Sequence, residues 1–229
     1  MKRWSLFLAI GAALLLFGCA NNAPSGNDTA NDAVSAATEA RYRDGELREY
    51  DGTRLDPAVG PRDNSISGIQ QIKEQDVQLA IDGLVDSPQN YSYADVTALS
   101  SEERLVRLDC VEGWSATILW KGVPMNTLLD AAGVQPEANT VIFHATDGYT
   151  TSLPLSEIQE KNQLLAYDAN GIALPPQMGY PFIFVAEDKW GYKWARWVNR
   201  IELSSDESYQ GFWESNGYSN EGNLSEPSR

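Results

Sequence analysis

Short apolar or alternating stretches recur between residues 77 and 174, and they constrain the fold class more than any other feature. Stretches of this length, bounded by turn residues, are typical of β-strands. Asn170-Gly171, between residues 164–167 and 172–174, is the dipeptide expected in a tight β-hairpin. The other predicted strands are residues 77–81, 105–108, 116–120, 140–144 and 150–153.

Helical patterns are few and short. One core-facing helix is predicted because apolar residues fall at positions i, i+3, i+4 and i+7, with Pro124 in its first turn and Gly133 at its end. Residues 92–99 predict a second helix with Ser92 as N-cap, and the capping-box spacing from Ser156 to Gln159 predicts a third. The helices are too few for an α/β alternation, so we expect a single strand-rich, mixed α+β domain. The apolar positions of the first helix are Met125, Leu128, Leu129 and Ala132.

The first residues have the composition of a lipoprotein signal peptide. Lys2 and Arg3 precede an apolar run, residues 6–18, which is too short to span a bilayer. The run ends in Leu-Phe-Gly-Cys19, which resembles the site where cleavage leaves a lipid-modified cysteine. Residues 1–18 are therefore predicted to be the signal, Cys19 to be lipidated, and the protein to lie on the extracytoplasmic face of the cell envelope. An ordinary secretory signal or an uncleaved anchor is the alternative.

The remaining boundaries follow from composition. Residues 20–40 contain no aromatic residue, Leu or Ile, so we expect residues 19–41 to form a flexible tether. Residues 42–206 are predicted to be the folded domain, and residues 207–229 a C-terminal tail that packs partly against it.

The chain is strongly acidic. Without Lys2 and Arg3, 15 of the 17 basic residues remain against 32 acidic ones, a net charge near −17. This charge argues against nucleic acid as a partner and favours encounter with a basic protein such as a small cytochrome. Solubility explains the charge equally well.

Several chemistries are excluded by residue counts. The chain has one histidine, His144, so a multi-histidine zinc site and a bis-histidine haem are excluded. No G-x-S-x-G, G-x-G-x-x-G or P-loop pattern is present. We expect His144 to be a hydrogen-bonded residue on a strand.

Cys110 is the one cysteine outside the signal region. If Cys19 is lipidated, the chain offers no second thiol for an internal disulfide. Cys110 follows a predicted strand and precedes the turn at Glu112-Gly113, where a side chain can face a cleft. A buried apolar side chain, a nucleophile and a metal ligand are all compatible with this position.

Several motifs occur in an order that is specific when taken together. Between residues 75 and 220 the chain resembles the molybdopterin-binding domain of the sulfite oxidase family, and in particular its small members similar to the periplasmic methionine sulfoxide reductase catalytic subunit. The motifs are CVEGWS at 110–115, WKGVP at 120–124, DGYT at 147–150, LPPQ at 174–177, WGYKW at 190–194 and GFWE at 211–214.

The resemblance implies a molybdenum-molybdopterin cofactor whose metal is bound by the catalytic Cys110 thiolate, a soft ligand that suits a redox metal. It implies that Gly191, Tyr192 and Lys193 contact the pterin phosphate, with Arg196 as a further basic residue. A solvated strand face is the alternative for the two cations.

The chain departs from the family at two positions. Met178 stands where the family has His or Asn, and Ile183 where it has an arginine. Met178 and Asn64 are included in the predicted cofactor site. The candidates for replacing the lost polar contacts are Arg62, Asn64, Lys121 and Lys189.

Four tryptophans near the motifs can line a pocket or fill the core, and we expect two to be core: Trp114, Trp190, Trp194 and Trp197. The resemblance implies two-electron oxygen-atom transfer on a small sulfoxide, N-oxide or sulfite-like substrate, and the acidic composition favours a neutral one. No haem-attachment or iron-sulfur cysteine set is present, so we expect a separate electron-transfer partner, a membrane subunit or a cytochrome. The alternative is a cofactor-free lipoprotein that binds a ligand or protein through the same fold.

Overall fold

The computed structural model describes residues 36, 39–40, 42–59 and 64–229. The chain divides into the units Met1–Ala37 and Thr38–Arg229, and the architecture below is that of the second. The predicted signal peptide, Cys19, most of the predicted tether and Arg62 lie outside the described residues. In the described part, no helix has the length and apolarity needed to cross a membrane.

Two five-stranded sheets form the framework of this unit. One has the order β10-β9-β6-β5, with β11 pairing to β9, and the other has the order β4-β3-β12-β7-β8. The first is antiparallel throughout, while the second has one parallel pair, β12 with β3. The strands are β1 Glu49–Tyr50, β2 Thr53–Arg54, β3 Leu79–Gly83, β4 Gln89–Tyr91, β5 Glu102–Asp109, β6 Ser115–Pro124, β7 Thr140–Ala145, β8 Thr150–Pro154, β9 Leu164–Ala169, β10 Ile172–Ala173, β11 Ile183–Val185 and β12 Val198–Ser204.

Strands are connected by helices α1 Tyr93–Ala98, α2 Met125–Ala132 and α3 Leu155–Lys161 in the part of the chain that the structure describes, which confirms the strand-rich α+β prediction. Helix α1 has the predicted N-cap, because the Ser92 hydroxyl accepts from the Asp95 N–H and the Asp95 carboxylate accepts from the Ser92 N–H. Helix α2 buries its four predicted apolar residues and ends at Gly133 in a left-handed conformation.

The predicted capping box at Ser156 is wrong. Helix α3 begins one residue earlier, at Leu155, after Pro154 with a φ of −57° and no side-chain cap. Pro154 ends β8 with an extended ψ of 132°, so Leu155 is the first helical residue and Ser156 lies in the first turn instead of at the N-cap.

The strands extend beyond their sequence patterns. Strand β5 begins three residues before the predicted 105–108 segment, and β3 lies two residues after the start of the predicted 77–81 segment. The hairpin between β9 and β10 is as predicted, with Asn170 and Gly171 both at positive φ. Half of the residues of β5 are exposed and only Leu108 is buried, so the exposed start of the strand has no apolar pattern that would reveal it.

The core lies where the two sheets and their helices meet. Phe143 of β7 stacks on Phe184 of β11 with ring centroids 3.9 Å apart, so the two sheets contact each other directly. Burial of large apolar side chains stabilises this junction by roughly 1.5–3 kcal/mol each. The framework that carries the loops is therefore well anchored.

A buried polar cluster attaches the N-terminal segment to this framework. The Glu46 carboxylate accepts from the Ala58 N–H at 3.0 Å and from the Asn170 amide at 3.3 Å. Asn170 also accepts from the Leu119 N–H and donates to the Asp56 carbonyl. Residues 46–58 are thus tied to the β9–β10 turn by hydrogen bonds shielded from water.

Asp168 makes folding stability depend on pH. Burial raises the pKa of its carboxyl from 3.8 to about 6. The hydrogen bond from the Gly171 N–H and the charge of Lys121 act in the opposite direction and lower the pKa. Above pH 6 the folded protein holds an ionised carboxylate in a site that favours the neutral form, so Asp168→Asn should raise stability there. The gain should shrink as pH falls through 6 and vanish below 3.8, where both states are protonated.

The measurement is the urea midpoint of both proteins from pH 8 to pH 4, with the exposed Glu137→Gln as control. A gain that stays constant over this range would contradict the assignment.

Candidate functional site

A cavity of about 340 Å³ lies at one end of the β5–β6 hairpin, and its volume is typical of a small-molecule site. Its walls come from loops that are far apart in sequence. The lining residues are Asn64, Ser65, Leu108, Cys110, Val111, Glu112, Trp114, Asp147, Tyr149, Gln177, Met178, Ile183, Gly191, Tyr192, Trp194, Arg196, Trp197, Trp213 and Tyr218.

Cys110 is the first residue after β5 and lines this cavity. Its N–H donates to the Trp114 carbonyl at 2.9 Å, and its carbonyl accepts from the Gly113 N–H at 3.0 Å. The resulting tight turn requires a positive φ at Gly113, which glycine adopts at low cost. The turn holds the thiol-bearing backbone at the cavity wall, as the sequence predicts.

A 3₁₀ turn over Gly191–Lys193 packs directly against the Cys110 backbone. Asp109 and Trp190 form an isolated bridge, and a Cβ built on Gly191 would lie 3.3 Å from the Asp109 carbonyl oxygen and 3.5 Å from the Cys110 Cα. A larger residue would separate the two loops. The predicted metal ligand and the predicted phosphate-contact turn are thus adjacent.

Lys193 is held away from the cavity by a buried ion pair. Its Nζ lies 2.6 Å from the Glu214 carboxylate, both side chains have zero exposure, and the ammonium also donates to the Asn220 carbonyl. Burial lowers the pKa of Lys193, and Glu214 opposes that shift. Lys193 is not among the lining residues, so its predicted contact with a cofactor phosphate stays a prediction.

Arg196 is the one basic residue among the described lining residues. Its Nη1 donates to the Gln177 carbonyl at 2.8 Å, and its guanidinium carbon lies 4.6 Å from the Trp197 ring centroid. The Trp197 indole in turn donates to the Pro176 carbonyl at 2.8 Å. These contacts fix the orientation of the cation at the wall.

The two departures from the family pattern, Met178 and Ile183, are both buried and both line the cavity. Asn64 lines it as well. Lys189 does not line the cavity, because its Nζ pairs with the Glu157 carboxylate at 2.8 Å. Lys121 lies in β6 opposite Asp168. Of the described replacement candidates, only Asn64 reaches the cavity.

Asp147 and Tyr149 shape the opposite wall, and no role is predicted for either from the sequence. The Asp147 carboxylate accepts from the N–H groups of Ile66 and Tyr149, which holds residues 66–67 against this loop. The Tyr149 hydroxyl donates to the Tyr192 carbonyl. Burial raises the pKa of Tyr149 well above its usual value, so the phenol keeps its proton and anchors the Gly191–Lys193 turn.

Of the four tryptophans, Trp194 and Trp197 are buried and also line the cavity, together with the partly exposed Trp114. Trp190 is partly exposed and is not a lining residue. His144 lies outside the cavity on the second sheet, where Nε2 is 2.8 Å from the Glu202 carboxylate.

The C-terminal tail contributes Trp213 and Tyr218 to the cavity, a role that the sequence patterns do not reveal. The aromatic residues of the GFWE segment and Tyr218 indicate that the tail packs against the domain. Only the tertiary structure shows that Trp213 and Tyr218 line the cavity.

The lining residues fit a pterin that carries a thiolate-bound metal. The Cys110 side chain offers a soft donor, and Arg196 offers a cation for an anionic group. The Gln177 Oε1 is buried and has no hydrogen-bond partner among the described residues, and Gln177 lines the cavity. A pterin presents N–H donors that could satisfy this acceptor, and aromatic walls match its flat ring.

The fold and the cavity are compatible with a domain that binds a redox cofactor. The model of the oxidoreductase molybdopterin binding domain matches residues 66–213. The chain belongs to this family, whose domain is of the sulfite oxidase type, and it is an oxidoreductase with a molybdenum-pterin cofactor. Membership decides against the cofactor-free binding module.

The relatives that the chain resembles are named as oxidoreductases or reductase subunits. The chain is similar to the uncharacterized oxidoreductase YuiH of Bacillus subtilis, with 40% identity over 61% of this chain and 71% of that protein. It is 28% identical to the putative protein-methionine-sulfoxide reductase subunit YedZ1 of Azospira oryzae over 92% of this chain and 82% of that one. The protein-methionine-sulfoxide reductase catalytic subunit MsrP of Gluconobacter oxydans is 34% identical over 56% of this chain and 47% of its own length.

A solved structure supports the fold. The sulfane dehydrogenase SoxCD from Paracoccus pantotrophus superposes with a TM-score of 0.60 at 21% identity, over 79% of this chain and 55% of that chain. The chain therefore spans about half the length of this protein.

Breaking the buried Lys193–Glu214 pair should destabilise the protein strongly. Lys193→Met or Glu214→Gln leaves the other group buried without its partner, which costs about 3–5 kcal/mol. We expect this loss in the free energy of unfolding, measured by urea denaturation. Arg107→Ala, which removes the exposed Arg107–Asp109 pair, is the control and should cost at most about 1 kcal/mol. The assignment would be contradicted if Lys193→Met or Glu214→Gln lowered the free energy of unfolding by no more than Arg107→Ala does.

Proposed function

We propose that this oxidoreductase transfers an oxygen atom to or from a small neutral substrate, with a sulfoxide as the favoured class. The observation that carries the proposal is the position of Cys110 at the cavity wall, against the Gly191–Lys193 turn. Relatives named as methionine sulfoxide reductase subunits support the same substrate class. Reduction of a sulfoxide takes two electrons and two protons and yields a sulfide and water.

The residues of this chain have distinct roles in the proposal. Cys110 would hold the metal, and Gln177 and Arg196 would orient the pterin through an acceptor and a cation. Tyr149 would keep the Gly191–Lys193 turn in place through its hydroxyl. When bound, the cofactor supplies the two-electron chemistry, so the protein contributes geometry, hydrogen bonds and access.

The charges at the cavity favour a neutral substrate over sulfite. Glu112 and Asp147 both line it, while its one described cation, Arg196, is already bound to the Gln177 carbonyl. Among the described lining residues, an oxyanion would meet two carboxylates and one cation. A sulfoxide carries no net charge, and its alkyl or aryl groups can contact the tryptophans.

Electrons would be exchanged with a separate partner. The net charge of −15 favours a basic redox protein such as a cytochrome, or a basic surface of a membrane subunit. The name of the Azospira relative identifies that protein as a reductase subunit. We propose in addition that lipidation of Cys19 holds the domain at the extracytoplasmic side of a membrane, where such a partner would dock.

Replacing the proposed metal ligand tests the reaction. Cys110→Ser, isolated from its native cells, should contain little molybdenum where the wild type contains close to one atom per chain. Sulfoxide reduction should fall by more than the roughly 10- to 100-fold loss typical of substituting a residue that only supports a ligand. Elemental analysis and a viologen-coupled assay measure both.

Leu105→Ser, on the same strand but exposed, is the matched control and should keep metal and activity. A serine variant that retains both molybdenum and activity would rule out Cys110 as the ligand.

Replacing the proposed lipid attachment site tests the location. Cys19→Ala should move the protein from the membrane fraction to the soluble fraction, because acyl chains would supply the membrane affinity. Fractionation with immunoblotting measures this change. Cys110→Ser should stay in the membrane fraction, and a Cys19→Ala protein that also stays there would contradict lipid anchoring at this residue.

A further inference from the structure

Two aromatic side chains of the C-terminal tail face the same cavity as Cys110. Trp213 precedes the 3₁₀ turn Glu214–Asn216, Tyr218 follows it, and both line the cavity. Both rings are only partly buried, so they are accessible from solvent. The tail therefore forms a wall of the site.

The rings of this wall are held by one another. Trp213 and Tyr218 pack edge to face with centroids 5.3 Å apart, and Tyr218 lies 5.1 Å from Tyr192. The Arg229 guanidinium is 4.1 Å from the Tyr218 ring centroid, on the ring face. Such arrangements restrict ring motion and leave a rigid apolar surface.

The backbone of the tail is anchored to the turn that contacts Cys110. The Trp190 N–H donates to the Gly222 carbonyl at 2.8 Å, and the Tyr192 hydroxyl donates to the Ser219 carbonyl at 2.7 Å. The buried Lys193–Glu214 pair fastens the residue between Trp213 and Tyr218. These contacts hold the wall against the turn that packs on Cys110.

We propose that Tyr218, with Trp213, determines substrate specificity by binding the apolar group that a sulfoxide carries on its sulfur. The inference rests on the proposed function and specifies its substrate class as sulfoxides with an aryl or long alkyl substituent. Aromatic side chains bind such groups well because they bury a large area with little loss of side-chain freedom. A small sulfoxide leaves this wall uncontacted.

The test compares the reduction of two sulfoxides by the molybdenum-loaded enzyme. Reduced viologen is the electron donor, and two viologens supply one electron each for every sulfoxide reduced. Tyr218→Ala should raise KM for methyl phenyl sulfoxide about three- to tenfold, the range of one aromatic contact. KM for dimethyl sulfoxide and kcat for both should be unchanged. Tyr218→Phe, which keeps the ring, should behave as the wild type, and Tyr50→Ala in β1 is the control outside the site.

Binding and metal content are read separately from turnover. Methyl phenyl sulfone, which is not reduced, should bind Tyr218→Ala more weakly by the same factor in calorimetry, while molybdenum per chain stays at the wild-type value. Loss of molybdenum in Tyr218→Ala would show that the wall contacts the cofactor and would overturn the inference. Equal changes for both sulfoxides would overturn it too. If the molybdenum-loaded wild-type enzyme reduces neither sulfoxide, the proposed function is overturned instead.

Discussion

The close approach of the Gly191–Lys193 turn to Cys110 is the constraint on which the rest of the site depends. A Cβ at position 191 would lie 3.3 Å from the Asp109 carbonyl oxygen, so any residue other than glycine would press on the Cys110 backbone. This contact brings the proposed metal ligand, the proposed phosphate turn and the Arg196 loop to one cavity. The Tyr149 hydroxyl and the tail then hold the turn from the other side.

The parts of the molecule predicted from sequence are those that depend on local chemistry. The α1 capping box, the α2 apolar face and the Asn170-Gly171 hairpin each follow from neighbouring residues. Cys110 was placed at the end of a strand for the same reason. The capping pattern at Ser156 mispredicts the start of α3, because the N-cap is Pro154, the last residue of β8, which has no side-chain acceptor.

The parts that could not be predicted depend on contacts between distant segments. The family resemblance implies a phosphate contact for Lys193, and its ammonium is paired with Glu214, 21 residues later. That pair and the hydrogen bonds of Trp190 and Tyr192 to the tail hold Trp213 and Tyr218 at the cavity. Asp147 likewise acts through a segment 81 residues earlier, at Ile66. A linear pattern carries no information about which distant groups meet.

The position of the cavity wall at Trp213 and Tyr218 has a consequence for how the enzyme is assembled. Both residues follow every other part of the site in the chain, so a nascent protein exposes Cys110 and the Gly191 turn before the wall exists. The cavity gains this wall only after the tail has docked on the Gly191–Lys193 turn. Until then, Cys110 and the turn lie in a cavity that lacks one of its aromatic sides.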